Sequence, residues 1–257
     1  IEISVIDAGY RLVVVDGLMR RDQAGMVIDS KWRGEGETQR AYDGLVPVSC
    51  KCLLGPNYYL FDPAYCDEVD IVEKVGPQDC LSILLSLGGM PDLVLLKQIA
   101  KELLIAISPH YAIDIIPVVG AQKKGVEPFL QFCDEYNLKP VVEANSLRDH
   151  YRSSDLFVGA DGGSIYEAML SGIPAVTFIL ADNQWQECAL FEEIGHNHHF
   201  NRHYAVCKEE IFTRIIEIFS AYEQSVELLE TFRNYYDCMG VKRVAQSILE
   251  YDCGSIA

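Results

Sequence analysis

Residues 154–187 read SDLFVGADGGSIYEAMLSGIPAVTFILADNQWQE, and this segment decides the fold. The run Leu156–Ala160 is apolar, contains a β-branched residue and is flanked by aspartates, which is typical of a buried parallel strand. Beyond it, apolar residues recur at the spacing of a helix lying on a sheet, at Ile165, Ala168, Met169 and Gly172. Gly172 and Pro174 end this helix, and residues 175–180 form the next apolar strand. The segment therefore predicts a strand–helix–strand unit of a parallel sheet.

The glycine pair at the start of this helix predicts an anion site. Gly162 and Gly163 have no Cβ, so a ligand can approach their backbone closely. The amides of the first helical turn, including that of Ser164, have no partner within the helix, and together with the helix dipole they suit a diphosphate. Glu167 lies one turn later on the same face, where its carboxylate suits the hydroxyls of a ribose better than a phosphate.

The turn after the second strand supplies further polar side chains. It contains Asn183 and Gln184, within the sequence ADNQ over residues 181–184. Because the carboxyl ends of parallel strands meet at one edge of the sheet, both turns are expected to contribute to a single nucleotide site. The alternative is an ordinary pair of turns, since glycine turns join strands to helices in many proteins.

Three segments of the chain resemble one group of enzymes. Residues 162–184 read GGSIYEAMLSGIPAVTFILADNQ, residues 53–58 read LLGPNY and residues 83–89 read ILLSLGG. These segments resemble the C-terminal half of GT-B nucleotide-sugar enzymes, and in particular the UDP-sugar hydrolases that release a 2,4-diacetamido-trideoxyhexose in pseudaminic acid synthesis. The peptidoglycan-type N-acetylglucosaminyltransferases share the same architecture less closely.

This resemblance implies a function and a set of site residues. It implies a UDP-sugar hydrolase that releases an amino sugar and UDP, with a GT-B glycosyltransferase using the same donor as the alternative. Asn183 is the implied catalytic residue, which would position sugar or water. The implied substrate-binding residues are Gly88, Gly89, Gly162, Gly163, Ser164, Glu167, Asn183 and Gln184. The family's hydrolases activate water with a histidine near the start of the first domain, but this chain has no histidine before His110, so no general base is assigned.

Composition excludes several classes of partner. The chain has 257 residues and a formal net charge of −17, which argues against nucleic acid and anionic membranes, because both require basic patches. No apolar run reaches the length of a membrane span, so a cytoplasmic location is expected. No cofactor and no metal are expected. The nine cysteines are scattered and odd in number, which favours free thiols.

The pattern predicts an α/β chain of the GT-B type, with a doubly wound, Rossmann-like parallel sheet. Residues 1–66 are expected to form a partial N-terminal Rossmann-like domain and the passage out of it. Residues 67–239 are expected to form the nucleotide-sugar-binding domain, with strands near residues 82–87, 113–119, 140–144, 156–160 and 175–180. Residues 240–257 are predicted to form a C-terminal helix that crosses back to the first domain.

The first domain looks incomplete in sequence. Residues 12–16 and 26–29 both read as buried strands ending in aspartate, with nine residues between them. A crossover between parallel strands usually needs about a dozen or more residues. Either residues are absent or the two strands are not neighbours in the sheet. The charged segment Lys31–Asp43 is expected to be a loop, and Cys50 and Cys52 are expected to be buried thiols.

Two further features leave alternatives open. His196, His198, His199 and His203 are predicted to lie in a polar loop, with a zinc site as the weaker alternative. Asp161 stands where the family usually has a small apolar residue. A carboxylate beside a diphosphate weakens binding unless it faces away or caps the helix. The enzyme interpretation therefore competes with a binding module that keeps the nucleotide site without catalysis.

Overall fold

The structure is a computed structural model that describes residues 6–66, 80–120, 124–180, 188–196 and 198–253. It forms two compact units. The smaller comprises residues 1–66 and 233–257, and the larger comprises residues 67–232.

The smaller unit is built on a three-stranded parallel sheet in the order β1-β2-β3. Its elements are β1 Val13–Val15, β2 Met26–Asp29, helix α1 Glu37–Arg40, β3 Lys51–Leu54, two 3₁₀ helices over Pro56–Tyr58 and Pro63–Tyr65, and the C-terminal helix α9 Gly240–Cys253. Val244 of α9 is buried with Met26, Ile28 and Leu53. The last helix of the chain therefore completes the core formed by the first strands.

Strands β1 and β2 are neighbours in the sheet, so the second of the two alternatives, that they are not neighbours, is wrong. Val13 pairs with Met26 in parallel, and only residues 16–25 join the two strands. The short connection is possible because the Asp16 carboxylate accepts hydrogen bonds from the backbone amides of Leu18 (3.2 Å) and Arg20 (3.0 Å). These bonds fold the link into a compact turn instead of a helix.

The segment Lys31–Asp43 is irregular or turn, as the sequence suggests, except for one short helix. It contains α1, and its Thr38 and Tyr42 are buried. The Thr38 hydroxyl donates to the carbonyl of Gly34 and accepts from the amide of Arg33, both at 2.9 Å. Only the short helix and the burial of these two side chains were not predicted, because the charged residues around them suggested an exposed segment.

The cysteines also differ from expectation. Cys66 and Cys238 form a disulfide with their Cα atoms 5.5 Å apart, so free thiols are the wrong state for this pair. Cys52 is exposed and Cys50 half-buried, because β3 is an edge strand of its sheet. The expectation of buried thiols at these two positions is therefore wrong.

The larger unit contains a six-stranded parallel sheet in the order β6-β5-β4-β7-β8-β9. Its strands are β4 Leu81–Ser86, β5 Ile113–Val119, β6 Val141–Val142, β7 Leu156–Ala160, β8 Ala175–Ile179 and β9 His199–His203. Its helices are α2 Leu93–Ile107, α3 Val126–Glu135, α4 Arg148–Ser153, α5 Gly163–Leu170, a 3₁₀ helix over Cys188–Ile194, α6 Tyr204–Ser220 and α7 Tyr222–Glu227. The last helix before the C-terminal one, α8 Leu229–Tyr235, begins in the larger unit and ends in the smaller one.

Helices cover both faces of this sheet, which confirms the expected doubly wound α/β architecture. The helices α2, α3 and α6 bury their apolar stripes in one core cluster with residues of β4, β5, β7 and β8. In α2 this stripe is Leu96, Ile99, Ala100, Leu103 and Ile107, and Asp92 caps the helix by accepting from the amide of Val94 at 2.8 Å. On the other face, α4 and α5 bury Tyr151, Ile165 and Met169.

The strand order places a topological switch point between β4 and β7. The chain leaves β4 toward β5 and β6 at one edge, then returns to β7 and continues to β8 and β9 at the other. Ligands of doubly wound sheets bind outside the carboxyl ends of the strands where the order reverses. The residues that follow β4 and β7 therefore lie where ligands of such sheets bind.

We expect the disulfide to stabilise the smaller unit. It joins residues 172 positions apart, so it removes much conformational freedom from the unfolded chain. Replacing Cys238 with serine should lower the free energy of unfolding by roughly 2–5 kcal/mol in urea titrations without reductant. Cys80→Ser, at an exposed free thiol, is the matched control and should change little. Equal stability of wild type and Cys238→Ser would show that the bond does not stabilise the fold.

Candidate functional site

Two glycine turns lie side by side at the switch point. Ser86, the last residue of β4, pairs in parallel with Gly159 of β7. A Cβ built at Gly159 would lie 2.1 Å from the carbonyl oxygen of Ser86, so only glycine permits this approach of the two strands. The turns after these strands, residues 87–89 and 161–163, therefore emerge from adjacent strands at the same edge of the sheet.

The first turn contains Gly88 and Gly89, both exposed. Gly88 has a φ of 95°, a backbone conformation that favours glycine. A Cβ at either position would have no heavy atom within 4 Å, so the space in front of this backbone is open. The neighbouring loop is packed against it, because a Cβ at Gly120 would lie 1.7 Å from the carbonyl oxygen of Gly89.

The second turn opens α5 at Gly163. Gly162 and Gly163 are exposed, and a Cβ at Gly162 would have no heavy atom within 4 Å. No side chain of the described residues caps this end of the helix. The amides of Gly163 and Ser164 therefore stand at an open helix N-terminus, which is a suitable environment for a phosphate group.

Glu167 lies on α5, one turn beyond the glycines. It is half-buried, and its Oε2 accepts a hydrogen bond of 3.3 Å from the hydroxyl of Tyr151. Tyr151 belongs to α4 and is completely buried. Because Tyr151 is buried, this hydrogen bond restricts the orientation of the Glu167 carboxylate. A carboxylate with a restricted orientation is suited to position a hydroxyl of a ligand.

Asn183 and Gln184 lie outside the residues that the structure describes, so their roles stay predictions. The structure brings together the other six predicted residues, which are Gly88, Gly89, Gly162, Gly163, Ser164 and Glu167, around the switch point.

Asp161, which directly precedes the glycine turn, has a buried histidine as its partner. Its Oδ1 lies 3.1 Å from Nδ1 of His199, and both side chains are at least 94% buried, with exposures of 3% and 6%. The carboxylate does not cap α5. The side chain that precedes the glycine turn is therefore buried beside a histidine of β9.

The polar-loop prediction is wrong for His199 and His203, which lie on a strand, whereas His196 and His198 lie in the loop before it. Residues 199–203 form β9, which pairs in parallel with β8, and His196 is buried with 2% of its surface exposed. The hydroxyl of Thr177 on β8 lies 2.8 Å from Nε2 of His196 and 3.0 Å from Nδ1 of His199. A single threonine in an apolar strand was the only sequence signal for this contact.

Burial controls the protonation of two of these histidines. Burial, with smaller effects of His199 and His198, lowers the pKa of His196 well below its ordinary value. Burial also lowers the pKa of His198 to about 4, helped by the positive charge of Arg214. Both side chains are therefore neutral at pH 7. Within the described ranges, no cluster of three His, Cys, Asp or Glu side chains has an arrangement that would hold a metal ion.

The aspartates that end β1 and β2 in the smaller unit form a structural network. The Tyr42 hydroxyl lies 2.9 Å from both Asp16 Oδ2 and Asp29 Oδ2, and Arg33 pairs with Asp29 at 2.6 Å. Burial raises the pKa of Asp16, but hydrogen bonds from Arg20, Tyr42 and Leu18 outweigh it and lower the pKa to about 2. These carboxylates are engaged in holding the link between strands, so they are poor candidates for acid–base chemistry.

Comparison with known proteins supports the fold. No family model matches the chain. A curated relative, the spore coat polysaccharide biosynthesis protein SpsG of Bacillus subtilis, is 23% identical over 192 residues, which cover 74% of this chain. The chain spans only 56% of the length of that relative.

Solved structures with a similar fold include these three. A Listeria monocytogenes protein assigned as a UDP-N-acetylglucosamine 2-epimerase has a TM-score of 0.62 at 11% identity, with 97% of this chain and 70% of that chain covered. Staphylococcus aureus MnaA with UDP has a TM-score of 0.58 at 12% identity, with the same coverage. The spinosyn rhamnosyltransferase SpnG with thymidine diphosphate has a TM-score of 0.54 at 12% identity, with 95% and 75% covered. The chain therefore has the GT-B-type, Rossmann-like fold.

The buried histidine predicts a pH-dependent stability. The folded pKa of His196 lies below the ordinary value, so the unfolded chain takes up a proton first as the pH falls below about 6.5. The free energy of unfolding should therefore fall by up to about 1.4 kcal/mol per pH unit for this group between roughly pH 6.5 and 5. Urea titrations at pH 7.5, 6.5 and 5.5 measure this slope.

A matched pair of variants isolates the histidine. His196→Gln keeps an amide near Thr177 but cannot titrate, so its stability should depend less on pH than that of wild type. His110→Gln, at an exposed histidine, should keep the wild-type slope. A His196→Gln variant with the full wild-type slope would assign the pH dependence to other groups.

Proposed function

We propose that this chain is a GT-B-type glycosyltransferase that takes a sugar from a UDP-sugar donor during polysaccharide biosynthesis. The observation that carries the proposal is the pair of open glycine turns at the topological switch point. One of these turns begins a helix whose N-terminal amides face open space. This is the arrangement that suits a nucleoside diphosphate in a doubly wound sheet.

The geometry gives each residue a role in holding the donor. The amides of Gly163 and Ser164 bind the diphosphate, and they stabilise the charge that develops on it as the bond to the sugar breaks. Glu167, held by Tyr151, accepts hydrogen bonds from the ribose hydroxyls. Gly88 and Gly89 leave room for the donor beside β4.

We expect Asn183 and Gln184, which follow β8 in the sequence, to complete the proposed site. An amide side chain offers donors and an acceptor but transfers no proton near neutral pH, so Asn183 orients the sugar or the attacking group. Its substitution is expected to lower turnover more than UDP affinity, because that contact is made with the reacting part of the substrate.

The comparisons support transfer to an acceptor better than hydrolysis. The curated relative is named for polysaccharide biosynthesis, and one similar structure is a rhamnosyltransferase that holds thymidine diphosphate. Another similar structure holds UDP. Hydrolysis uses the same donor site with water as acceptor, and a binding module would keep the site without turnover. The three functions differ in their products.

Product analysis separates these functions. The chain is incubated with UDP-N-acetylglucosamine, UDP-glucose or UDP-galactose, with and without N-acetylhexosamine disaccharides as acceptors. We expect UDP release to increase with acceptor, and mass spectrometry to show an acceptor heavier by one sugar. Equal release with and without acceptor, together with a free sugar, would identify a hydrolase. UDP binding without any release would identify a binding module.

The role of Glu167 is tested by UDP affinity. Glu167→Ala should weaken UDP binding by roughly 1–3 kcal/mol, or about 5- to 150-fold in Kd, because it removes hydrogen bonds to the ribose. Isothermal titration calorimetry measures this change. Glu135→Ala, at an exposed glutamate at the far end of α3, is the control and should bind UDP as wild type does. Unchanged affinity in Glu167→Ala would remove Glu167 from the site.

A further inference from the structure

Tyr151 of α4 contacts both elements that flank the second glycine turn. Its side chain is completely buried, and its ring lies 5.9 Å from that of Phe157 on β7, the strand that leads into the turn. Its hydroxyl donates to Oε2 of Glu167 on α5, the helix that leaves the turn, at 3.3 Å. The tyrosine therefore links the carboxylate of α5 to the strand on the other side of the turn.

The surroundings of Tyr151 fix the position of its hydroxyl. Phe157, against which its ring packs, is completely buried and pairs with Leu84 of β4 in the middle of the sheet. The amide of Tyr151 donates to the carbonyl of Leu147 at 2.9 Å, which holds its backbone in α4. Because protein interiors are close-packed, a buried ring of this size cannot follow a neighbour that moves. The hydroxyl donates from a fixed point, and the carboxylate has to meet it there.

A carboxylate can accept from this hydroxyl and from a ligand at the same time. Its two oxygens offer about four acceptor positions, so one hydrogen bond does not use up the group. Glu167 is half-buried, which leaves part of its side chain accessible. It lies three residues after Ser164 and four after Gly163, on the face of α5 that carries their amides. A nucleotide whose diphosphate contacts those amides can bring its sugar to this carboxylate.

A carboxylate with a fixed orientation distinguishes ribose from 2′-deoxyribose. Ribose presents two adjacent hydroxyl donors, whereas 2′-deoxyribose presents one. A mobile carboxylate compensates for the missing donor by turning toward water. A carboxylate that is held by a buried phenol loses that hydrogen bond when it turns, so the missing donor weakens binding of the deoxynucleotide.

We propose that Tyr151 is a positioning residue that makes the donor site selective for ribonucleotides over 2′-deoxyribonucleotides. It acts through Glu167 and does not itself touch the nucleotide. This inference rests on the donor site of the proposed function, because it requires the ribose to lie at Glu167. The ligand class is a nucleoside diphosphate that carries both ribose hydroxyls.

The competing explanation is that Tyr151 is a core residue whose hydroxyl merely needs an acceptor, as buried tyrosine hydroxyls generally do. Tyr222 has that simpler role. It is buried, and its hydroxyl donates at 2.8 Å to the backbone carbonyl of Asp155, which precedes β7 and so lies at the end of the strand opposite the glycine turn. Tyr222→Phe is therefore the matched control, since it also removes one buried hydroxyl.

Calorimetric titrations of UDP and of 2′-deoxy-UDP separate the two explanations. We expect wild type to bind UDP about 10-fold more tightly than 2′-deoxy-UDP, as for the loss of one hydrogen bond to a charged group. Tyr151→Phe keeps the ring and should weaken UDP binding by about fivefold while changing that of 2′-deoxy-UDP by less than about twofold. Tyr222→Phe should keep the wild-type preference. Thermal melts show that each variant is folded.

The same substitution in a chain without the carboxylate tests whether Tyr151 acts through Glu167. In Glu167→Ala, the further change Tyr151→Phe should alter UDP affinity by less than about twofold, because no carboxylate is left to orient. A loss equal to that in the wild-type background would show that Tyr151 acts on the site by another route, and it would overturn the inference.

The remaining outcomes also decide the inference. Equal affinity of wild type for the two nucleotides overturns it without any variant. A full wild-type preference in Tyr151→Phe overturns it and leaves the proposed donor site intact. A wild-type chain that binds neither nucleotide overturns the donor site and this inference together. A chain that shows the expected preferences but transfers no sugar supports the inference and contradicts only the proposed transfer.

Discussion

The parallel pairing of β4 with β7 is the constraint on which the rest of the larger unit depends. It requires a glycine at position 159, since any Cβ there would collide with the carbonyl oxygen of Ser86. This pairing reverses the direction in which strands are added, with β5 and β6 on one side and β8 and β9 on the other. It also brings two glycine turns from distant parts of the sequence to one edge. The order of the strands therefore determines where the candidate site lies, whichever side chains line it.

At this edge of the sheet, local groups favour an anion although the net charge of the chain is negative. The chain as a whole carries a net charge of −17, yet the proposed ligand is an anion. Backbone amides and a helix dipole attract a diphosphate over short distances, where the overall charge is screened by salt. Asp161 is the nearest opposing charge in sequence, and its buried carboxylate lies 3.1 Å from Nδ1 of His199. The Thr177 hydroxyl lies 3.0 Å from the same nitrogen of His199, so a polar residue of β8 also contacts the pair.

Sequence patterns predicted the elements that are both apolar and periodic. The bounds of β7 were predicted at both ends, and the glycine turn was placed correctly before α5, because burial on both faces leaves an unbroken apolar run. Strand β9 was not predicted because its sequence, HFNRH over residues 199–203, has only one apolar residue. Its first residue, His199, contacts Thr177 and Asp161, which are far away in sequence. Neither the Cys66–Cys238 pairing nor the contact of β1 with β2 has a local signal, since both depend on tertiary contacts. Asn183 and Gln184 remain sequence predictions.

The central claim is that the glycine turn before α5 binds the diphosphate of a nucleotide. Backbone amide NMR during a UDP titration tests it most directly, because amide shifts report hydrogen bonds to phosphate at each residue. The account predicts the largest changes at Gly162, Gly163 and Ser164, with smaller changes at Gly88 and Gly89. Changes confined to residues of the smaller unit, with the amides at 162–164 unmoved at saturating UDP, would contradict it.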